Sequence, residues 1–78
     1  MKAECLNEQK FIMPRGIKFI DVAPHPHKVM WINITYEEQY GPPVEYTLYA
    51  LRRDWDIPDG AEFIGRVGTL WFYVRDGA

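Results

Sequence analysis

The feature that most constrains the fold of this chain is a series of short segments in which apolar and polar residues alternate, separated by Pro, Gly and Asp. In the segments 28–36 ("KVMWINITY") and 44–52 ("VEYTLYALR"), every second residue falls on the same face of an extended chain. Both segments are rich in aromatic and β-branched residues, as strands tend to be. Because no window repeats apolar residues at the spacing of an amphipathic helix, the pattern predicts β-strands.

Shorter segments and the turns between them extend this prediction. We expect further strands at 9–13, 17–23, 61–67 and 70–75, a tight turn at 14–16 and a two-residue hairpin turn at 68–69. Connections this short join antiparallel neighbours, because a parallel crossover needs a dozen or more residues. The sequence therefore predicts a mainly β fold: a single small, antiparallel, strongly twisted sheet of five to six strands, rolled like a half-barrel, with at most one short helical turn at 58–62.

The length and the aromatic content predict one domain that meets another molecule. The chain has 78 residues, of which we expect 9–75 to form a single β-rich domain, with a frayed N-terminus at 1–8 and a tail at 76–78. Four phenylalanines, five tyrosines and three tryptophans are more large rings than so small an interior can cover. Exposed aromatic clusters seldom persist on monomers, so some rings are expected at an interface or in a pocket, and a homo-oligomer is expected.

Charge and cysteine content exclude several classes of protein. The net charge is −2 and no basic stripe is visible, so duplex nucleic acid is not an expected partner. The start "MKAECLNEQKF" lacks a long apolar run and the chain lacks a basic amphipathic helix, which predicts neither signal peptide nor membrane partner. A lone cysteine, Cys5, forms no internal disulfide, as expected of a protein in a reducing cytoplasm.

The acidic loop 52–65 ("RRDWDIPDGAEFIG") raises the question of a cation site. Its aspartates read D-x-D-x-x-D-G from Asp54 to Gly60, one residue longer than the start of an EF-hand loop. The closing glutamate is also missing, since Arg66 stands six residues beyond Gly60. Residues 58–60 ("PDG") place proline and glycine where a turn needs them. We therefore predict that the loop is a turn.

Other candidates for metal binding or catalysis are incomplete. His25 and His27 share a face if the segment is extended, which allows two-point metal binding, a solvated turn or a pH-dependent contact. The chain contains no serine, and Cys5 has no nearby positive charge other than Lys2 and Lys10 to lower the pKa of its thiol. Glu37-Glu38 resembles a solvated loop more than a catalytic dyad. The sequence predicts no enzyme activity, no cofactor and no metal site.

A mixture of arginines and aromatic rings is the most suggestive constellation. Planar rings stack on bases, and guanidinium groups bind phosphate or carboxylate. We predict that this mixture binds a nucleotide-sized ligand; its members are Tyr49, Arg52, Arg53, Trp55, Arg66, Trp71 and Tyr73. The alternative is that the arginines pair with Asp54, Asp56 and Glu62 on the surface while the rings pack in the core or an interface.

Four framework segments cover most of residues 12–75: "MPRGIKFIDV", "KVMWINI", "IPDGAEFIGRV" and "LWFYV". In these segments the chain resembles a family of small uncharacterised proteins of bacteriophages and prophages. Members tend to carry Gly-Thr-Gly where this chain has Arg53-Asp54-Trp55, and Trp-His where it has Trp71-Phe72. The resemblance implies a phage-type accessory protein in the host bacterial cytoplasm, and it transfers no site residues.

Together these features lead to a functional prediction. We expect a non-catalytic, homo-oligomeric counter-defence protein that sequesters a small nucleotide-like ligand, such as a host immune signal. The alternative is an inhibitor that binds and blocks a host bacterial protein through a sheet edge or an aromatic patch. A virion structural component is the third class.

Overall fold

The structure, a computed structural model, describes residues 1–77 and contains within them seven β-strands and no helix. The strands are β1 (Lys2–Glu4), β2 (Glu8–Pro14), β3 (Lys18–Pro24), β4 (Trp31–Glu37), β5 (Pro43–Leu51), β6 (Glu62–Val67) and β7 (Leu70–Asp76). Every strand pair is antiparallel, so the predicted mainly β, antiparallel fold is confirmed. No helix long and apolar enough to cross a membrane occurs in the part of the chain that the structure describes.

The strands form two sheets, whereas the sequence predicted one. The three-stranded sheet has the order β1-β4-β3 and the four-stranded sheet the order β2-β5-β7-β6, and the two do not close into a barrel. The difference arises at the connections, because residues 5–7, 15–17 and 38–42 each lead from one sheet to the other. The assumption that short connections join neighbouring strands is therefore wrong at these places and correct at the connections 25–30 and 68–69.

The first residues belong to the domain, although the sequence predicted a frayed end at 1–8. Ala3 of β1 pairs with Ile32 of β4, and its side chain is buried. The Met1 amino group donates a hydrogen bond of 2.9 Å to the Ile34 carbonyl. At the other end of the chain, the Gly77 N–H donates to the Glu45 carbonyl at 2.8 Å. Strand β1 was not predicted because it has three residues, of which only Ala3 points inward, and so short a segment shows no alternation.

The core lies between the two sheets and consists mainly of alternate residues of their strands. Ile32 and Ile34 of β4 meet Leu48 of β5 and Phe72 of β7, and all four side chains are almost completely buried. Successive residues of a strand point to opposite faces, so the intervening residues of each strand lie on the outside of the sandwich. The other members of the core are Ala3, Ile17, Val22, Tyr46, Ala50 and Val74.

Tyr46 holds the turn that leads from β2 to β3. Its ring is buried and stacks on Phe11 with 5.8 Å between ring centroids. Its hydroxyl accepts a hydrogen bond from the Gly16 N–H and donates one to the Pro14 carbonyl, both at 3.1 Å. Gly16 has a φ of 80°, the left-handed value that glycine adopts without strain. The predicted turn at 14–16 is confirmed, and Tyr46 fixes it from β5.

Replacing Tyr46 with phenylalanine should lower the free energy of unfolding by about 1–3 kcal/mol, because the ring stays while a partly buried N–H and C=O lose their partner. Urea titration should show a lower midpoint with an unchanged slope. Tyr36→Phe is the matched control, since Tyr36 is half-buried and its hydroxyl bonds to no atom of residues 1–77. Equal midpoints for the two variants would show that the hydroxyl does not stabilise the turn.

The two sheets approach each other closely where Gly65 of β6 faces Val22 of β3. A Cβ atom at Gly65 would lie 3.0 Å from the Val22 Cβ and 3.3 Å from its backbone nitrogen. Gly65 directly follows an irregularity of register between Phe63 and Gly65, the kind of place at which a bulged strand bends. The missing side chain of Gly65 therefore permits this close contact between the sheets.

Candidate functional site

The predicted site residues lie mainly on the outer face of the four-stranded sheet. Leu51 of β5 and Arg66 of β6 both stand opposite Trp71 of β7, and Phe63 stands opposite Tyr73. These residues alternate with the core residues of the same strands, so their side chains point away from the other sheet. The sheet order β5-β7-β6 thus places residues from distant parts of the chain side by side.

Two adjoining depressions on this face collect the predicted residues. The first has a volume of about 160 Å³ and is lined by Leu51, Arg52, Arg53, Trp55, Ile57, Trp71 and Tyr73. The second has a volume of about 520 Å³ and is lined by Arg53, Arg66, Gly68, Thr69 and Trp71. Because both share Arg53 and Trp71, we call the pair of depressions the Arg53–Trp71 site.

Aromatic rings and a guanidinium group surround Trp71. The Phe63 ring lies 5.5 Å from the Trp71 ring and 5.5 Å from the Tyr73 ring, measured between centroids. The Arg66 guanidinium carbon lies 5.5 Å from the Trp71 centroid, a cation–π contact. Trp55 is 43% exposed and Phe63 49% exposed, so both rings remain open to a partner.

The arginines of the site have no carboxylate partner among residues 1–77. The ion pair that the structure shows joins Lys10 and Glu45 at 3.7 Å, on another part of the same sheet, and Arg52, Arg53 and Arg66 are exposed and form none. The alternative in which these arginines pair with nearby aspartates and a glutamate on the surface is therefore not what the structure shows. A guanidinium without a carboxylate partner keeps its donors for a ligand.

Tyr49 is the predicted site residue that lines neither depression. It lies on the outer face, but it is buried, and the Arg75 guanidinium carbon stands 5.6 Å from its ring centroid. Its neighbour on β7, Tyr73, lines the first depression. Tyr49 thus lies beside the site and does not line it.

Three apolar residues of the site were not predicted. Leu51 and Ile57 line the first depression, and Phe63 packs against Trp71. The alternation along β5 carried a signal for Leu51, since it shares the outer face with Tyr49. The positions of Ile57 and Phe63 depend on the course of the loop 52–61 and on the bulge in β6, and neither follows from the alternation.

The acidic loop consists of turns, as predicted, and these turns position part of the site. The Trp55 N–H donates to the Arg52 carbonyl and the Ala61 N–H to the Pro58 carbonyl, both at 3.1 Å. Gly60 has a φ of 78°, which such a turn requires at this position. The turn from Arg52 to Trp55 brings both of these side chains to the end of β5, beside Trp71.

The other candidates for metal binding or catalysis were His25, His27 and Cys5. The His27 N–H donates to His25 Nδ1 at 3.1 Å, so this nitrogen is engaged within the loop. Residues 1–77 contain no group of three His, Cys, Asp or Glu side chains that could hold a metal ion. Burial raises the pKa of the Cys5 thiol, which keeps it in the less nucleophilic protonated form.

Fold and site together define a small all-β protein of two packed sheets with an arginine- and tryptophan-lined surface on one of them. A scan against protein-family models, a search of curated proteins and a search of solved structures each find no match to the chain.

Proposed function

We propose that this chain is a non-catalytic binding protein that holds a small anionic ligand with a planar ring, such as a nucleotide, at the Arg53–Trp71 site. The observation that carries the proposal is the set of exposed arginines without a carboxylate partner around an accessible tryptophan. A planar ring stacks on an indole, and guanidinium groups bind phosphate oxygens with two parallel hydrogen bonds.

The dimensions of the site support a ligand of this class. Pockets for small molecules have volumes of roughly 300–1,000 Å³. The first depression, at about 160 Å³, is too small alone, whereas the second, at about 520 Å³, falls within that range. A ligand that spans both meets Arg52 and Trp55 on one side of Trp71 and Arg66 on the other.

The charges around the site support an anion rather than a cation. Asp54 and Asp56 belong to the same loop as Arg52 and Arg53, yet neither lines a depression. The lining therefore carries positive charge only, although the chain as a whole has a net charge of −2. Because the arginines are exposed, binding should weaken as the salt concentration rises.

Binding can be tested by adding nucleoside monophosphates, nucleoside triphosphates and cyclic dinucleotides and measuring the melting temperature. A ligand at about 100 times its Kd stabilises the folded state by about 2.7 kcal/mol. Such a gain raises the melting temperature by more than about 10 °C in a domain of this size. Arg53→Glu should weaken binding of the active compound about tenfold or more, since it removes a charge-assisted contact shared by both depressions.

Arg15→Glu is the matched control for this variant. It changes the net charge by the same amount, but Arg15 lies in the turn beside Pro14, at the end of β5 opposite to Leu51. The control should bind like the unchanged protein. If no compound of the panel shifts the melting temperature at millimolar concentration, or if both variants bind equally, the proposal is wrong.

The phage-type counter-defence role and the homo-oligomeric state remain part of this proposal. Support for the role is the framework resemblance, and support for an oligomer is the exposure of Trp55 and Phe63 on the same face. The alternative, inhibition of a host protein through this aromatic patch, is supported by the same exposure, because aromatic residues are enriched at protein interfaces. A protein that co-purifies stoichiometrically and is released by Trp55→Ala, with no effect of nucleotides, would favour this alternative.

A further inference from the structure

The loop between β3 and β4 projects an apolar tip that is separate from the Arg53–Trp71 site. Val29 is 89% exposed and Met30 63% exposed. The Cys5 N–H donates to the Met30 carbonyl at 2.8 Å, which places the next residue, Leu6, beside the loop. Leu6 is 47% exposed. We call these three residues, Leu6, Val29 and Met30, the apolar tip.

The backbone of Met30 indicates that its side chain is not there for the fold. Its φ of 66° is in the left-handed region, which residues other than glycine, asparagine and aspartate rarely adopt. Glycine or asparagine at this position would relax the turn, yet the chain has a large apolar side chain there and leaves it in solvent. Strain of this kind is concentrated at functional positions.

Basic side chains surround the apolar tip. Lys28 Nζ lies 4.9 Å from the centroid of the Trp31 ring, next to the tip. His25 is close enough to Lys2 of β1, to Lys28 and to His27 to be affected by the charge of each. Glu4 pairs with Trp31 across β1 and β4, and its charge partly offsets those of Lys2 and Lys28. A protonated His25 adds positive charge to this surface.

We propose that the apolar tip docks on an anionic lipid bilayer, with Lys2 and Lys28 at the headgroups and tighter binding at acidic pH. Exposed aliphatic side chains with adjacent basic ones are the combination that binds such a surface. The sequence predicted no membrane partner because it contains no basic helix. Here the basic residues come from β1 and from the 25–30 loop, which are distant in sequence and adjacent in the fold.

The form of the tip favours a bilayer over an acidic protein. Val29 and Met30 project from the surface, and a fluid bilayer accepts such side chains without a matching cavity. Trp31 lies half-buried behind them with Lys28 over its ring, and tryptophan and lysine are the residues that prefer the depth of the headgroups.

His25 couples docking to pH. Desolvation, and then the charges of Lys2, Lys28 and His27, lower the pKa of His25 below its ordinary value. An anionic surface offsets the repulsion from these cations, so binding favours the protonated imidazole and takes up protons. Binding therefore strengthens as the pH falls, by about fivefold for each charge gained near the surface.

The test is co-sedimentation of the whole chain with vesicles of phosphatidylcholine alone and with phosphatidylserine added, at pH 7.5 and pH 5.0. We expect binding to the anionic vesicles only, and tighter binding at pH 5.0. Val29→Ser with Met30→Ser should weaken it about tenfold or more. Ile12→Ser is the control, because Ile12 is also exposed, at 68%, and lies on β2 in the other sheet. His25→Ala with His27→Ala should keep the binding at pH 7.5 and lose its increase at pH 5.0.

Several outcomes would overturn the proposal. These are no binding to anionic vesicles, equal binding to neutral ones, an equal loss in the Ile12 control, and binding to soluble polyglutamate but not to vesicles, which would identify an acidic protein partner. Because Arg53→Glu leaves the tip unchanged, vesicle binding by that variant separates this proposal from the nucleotide-binding one.

Discussion

Replacing Phe72 with alanine should lower the free energy of unfolding by about 3–5 kcal/mol, one of the two largest effects expected for this chain. The Phe72 side chain has no exposed surface and lies at the centre of the core. Its cross-strand neighbours on β5 and β6 are Ala50 and Gly65, which are too small to fill the space that the ring leaves. The cavity should therefore persist and add to the lost transfer free energy.

The loss is large relative to the whole stability, since domains have roughly 0.05–0.15 kcal/mol per residue. Circular dichroism during urea titration should show a strongly lowered midpoint or a chain unfolded without denaturant. Tyr40→Ala is the matched control, because that ring is 98% exposed, and it should change the stability by less than about 0.5 kcal/mol. Similar losses in the two variants would contradict the burial of Phe72.

Replacing Gly65 with valine should destabilise the protein by about 1–3 kcal/mol, although valine suits a strand better than glycine does. The reason is the contact between the sheets, where the added Cβ would lie 3.0 Å from the Val22 Cβ and 3.1 Å from its Cγ2. Elsewhere in a strand, removing a glycine is expected to stabilise by roughly 0.5–1 kcal/mol. The sign of the change in the free energy of unfolding thus distinguishes a tight contact from an ordinary strand position.

A double-mutant cycle with Val22→Ala checks this explanation. Removing the Val22 methyl groups takes away the Cγ2 contact, so Gly65→Val should be less damaging in that background than in the unchanged chain. Melting curves of the four proteins provide the coupling free energy. If Gly65→Val stabilises the chain, the sheets are not in tight contact at this point. If the two changes are additive, the Val22 Cγ2 is not part of the contact.

The strands were predictable from the sequence because an alternation of period two is a local signal. β4 and β5 show it over seven and nine residues, and the structure places these strands within a few residues of the predicted ranges. The division into two sheets was not predictable in this way. It arises at connections whose course is held by distant residues, as Tyr46 bonds to the turn at Pro14 and Gly16 from thirty or more residues away.

The site was predictable in part, for a related reason. A two-residue turn at 68–69 sets the register of β6 and β7, and this register places Arg66 opposite Trp71. Arg52 and Trp55 reach the same surface only because β5 pairs with β7. In the sequence these two strands are separated by the loop 52–61 and by β6. Composition indicated the kind of residues involved, and only the pairing of distant strands shows which of them meet.

The connections that lead from sheet to sheet have a consequence for how the chain folds. β1 has its hydrogen-bond partner in β4, and β2 has its partner in β5, so neither can form a ladder with the strand that follows it in the chain. Long loops must close before either ladder can form its first hydrogen bonds. The chain entropy lost in this closure slows the folding of small β proteins to about milliseconds or longer. The hairpins of β3 with β4 and of β6 with β7 have no such delay, so we expect both to form before β1 and β2 join their sheets.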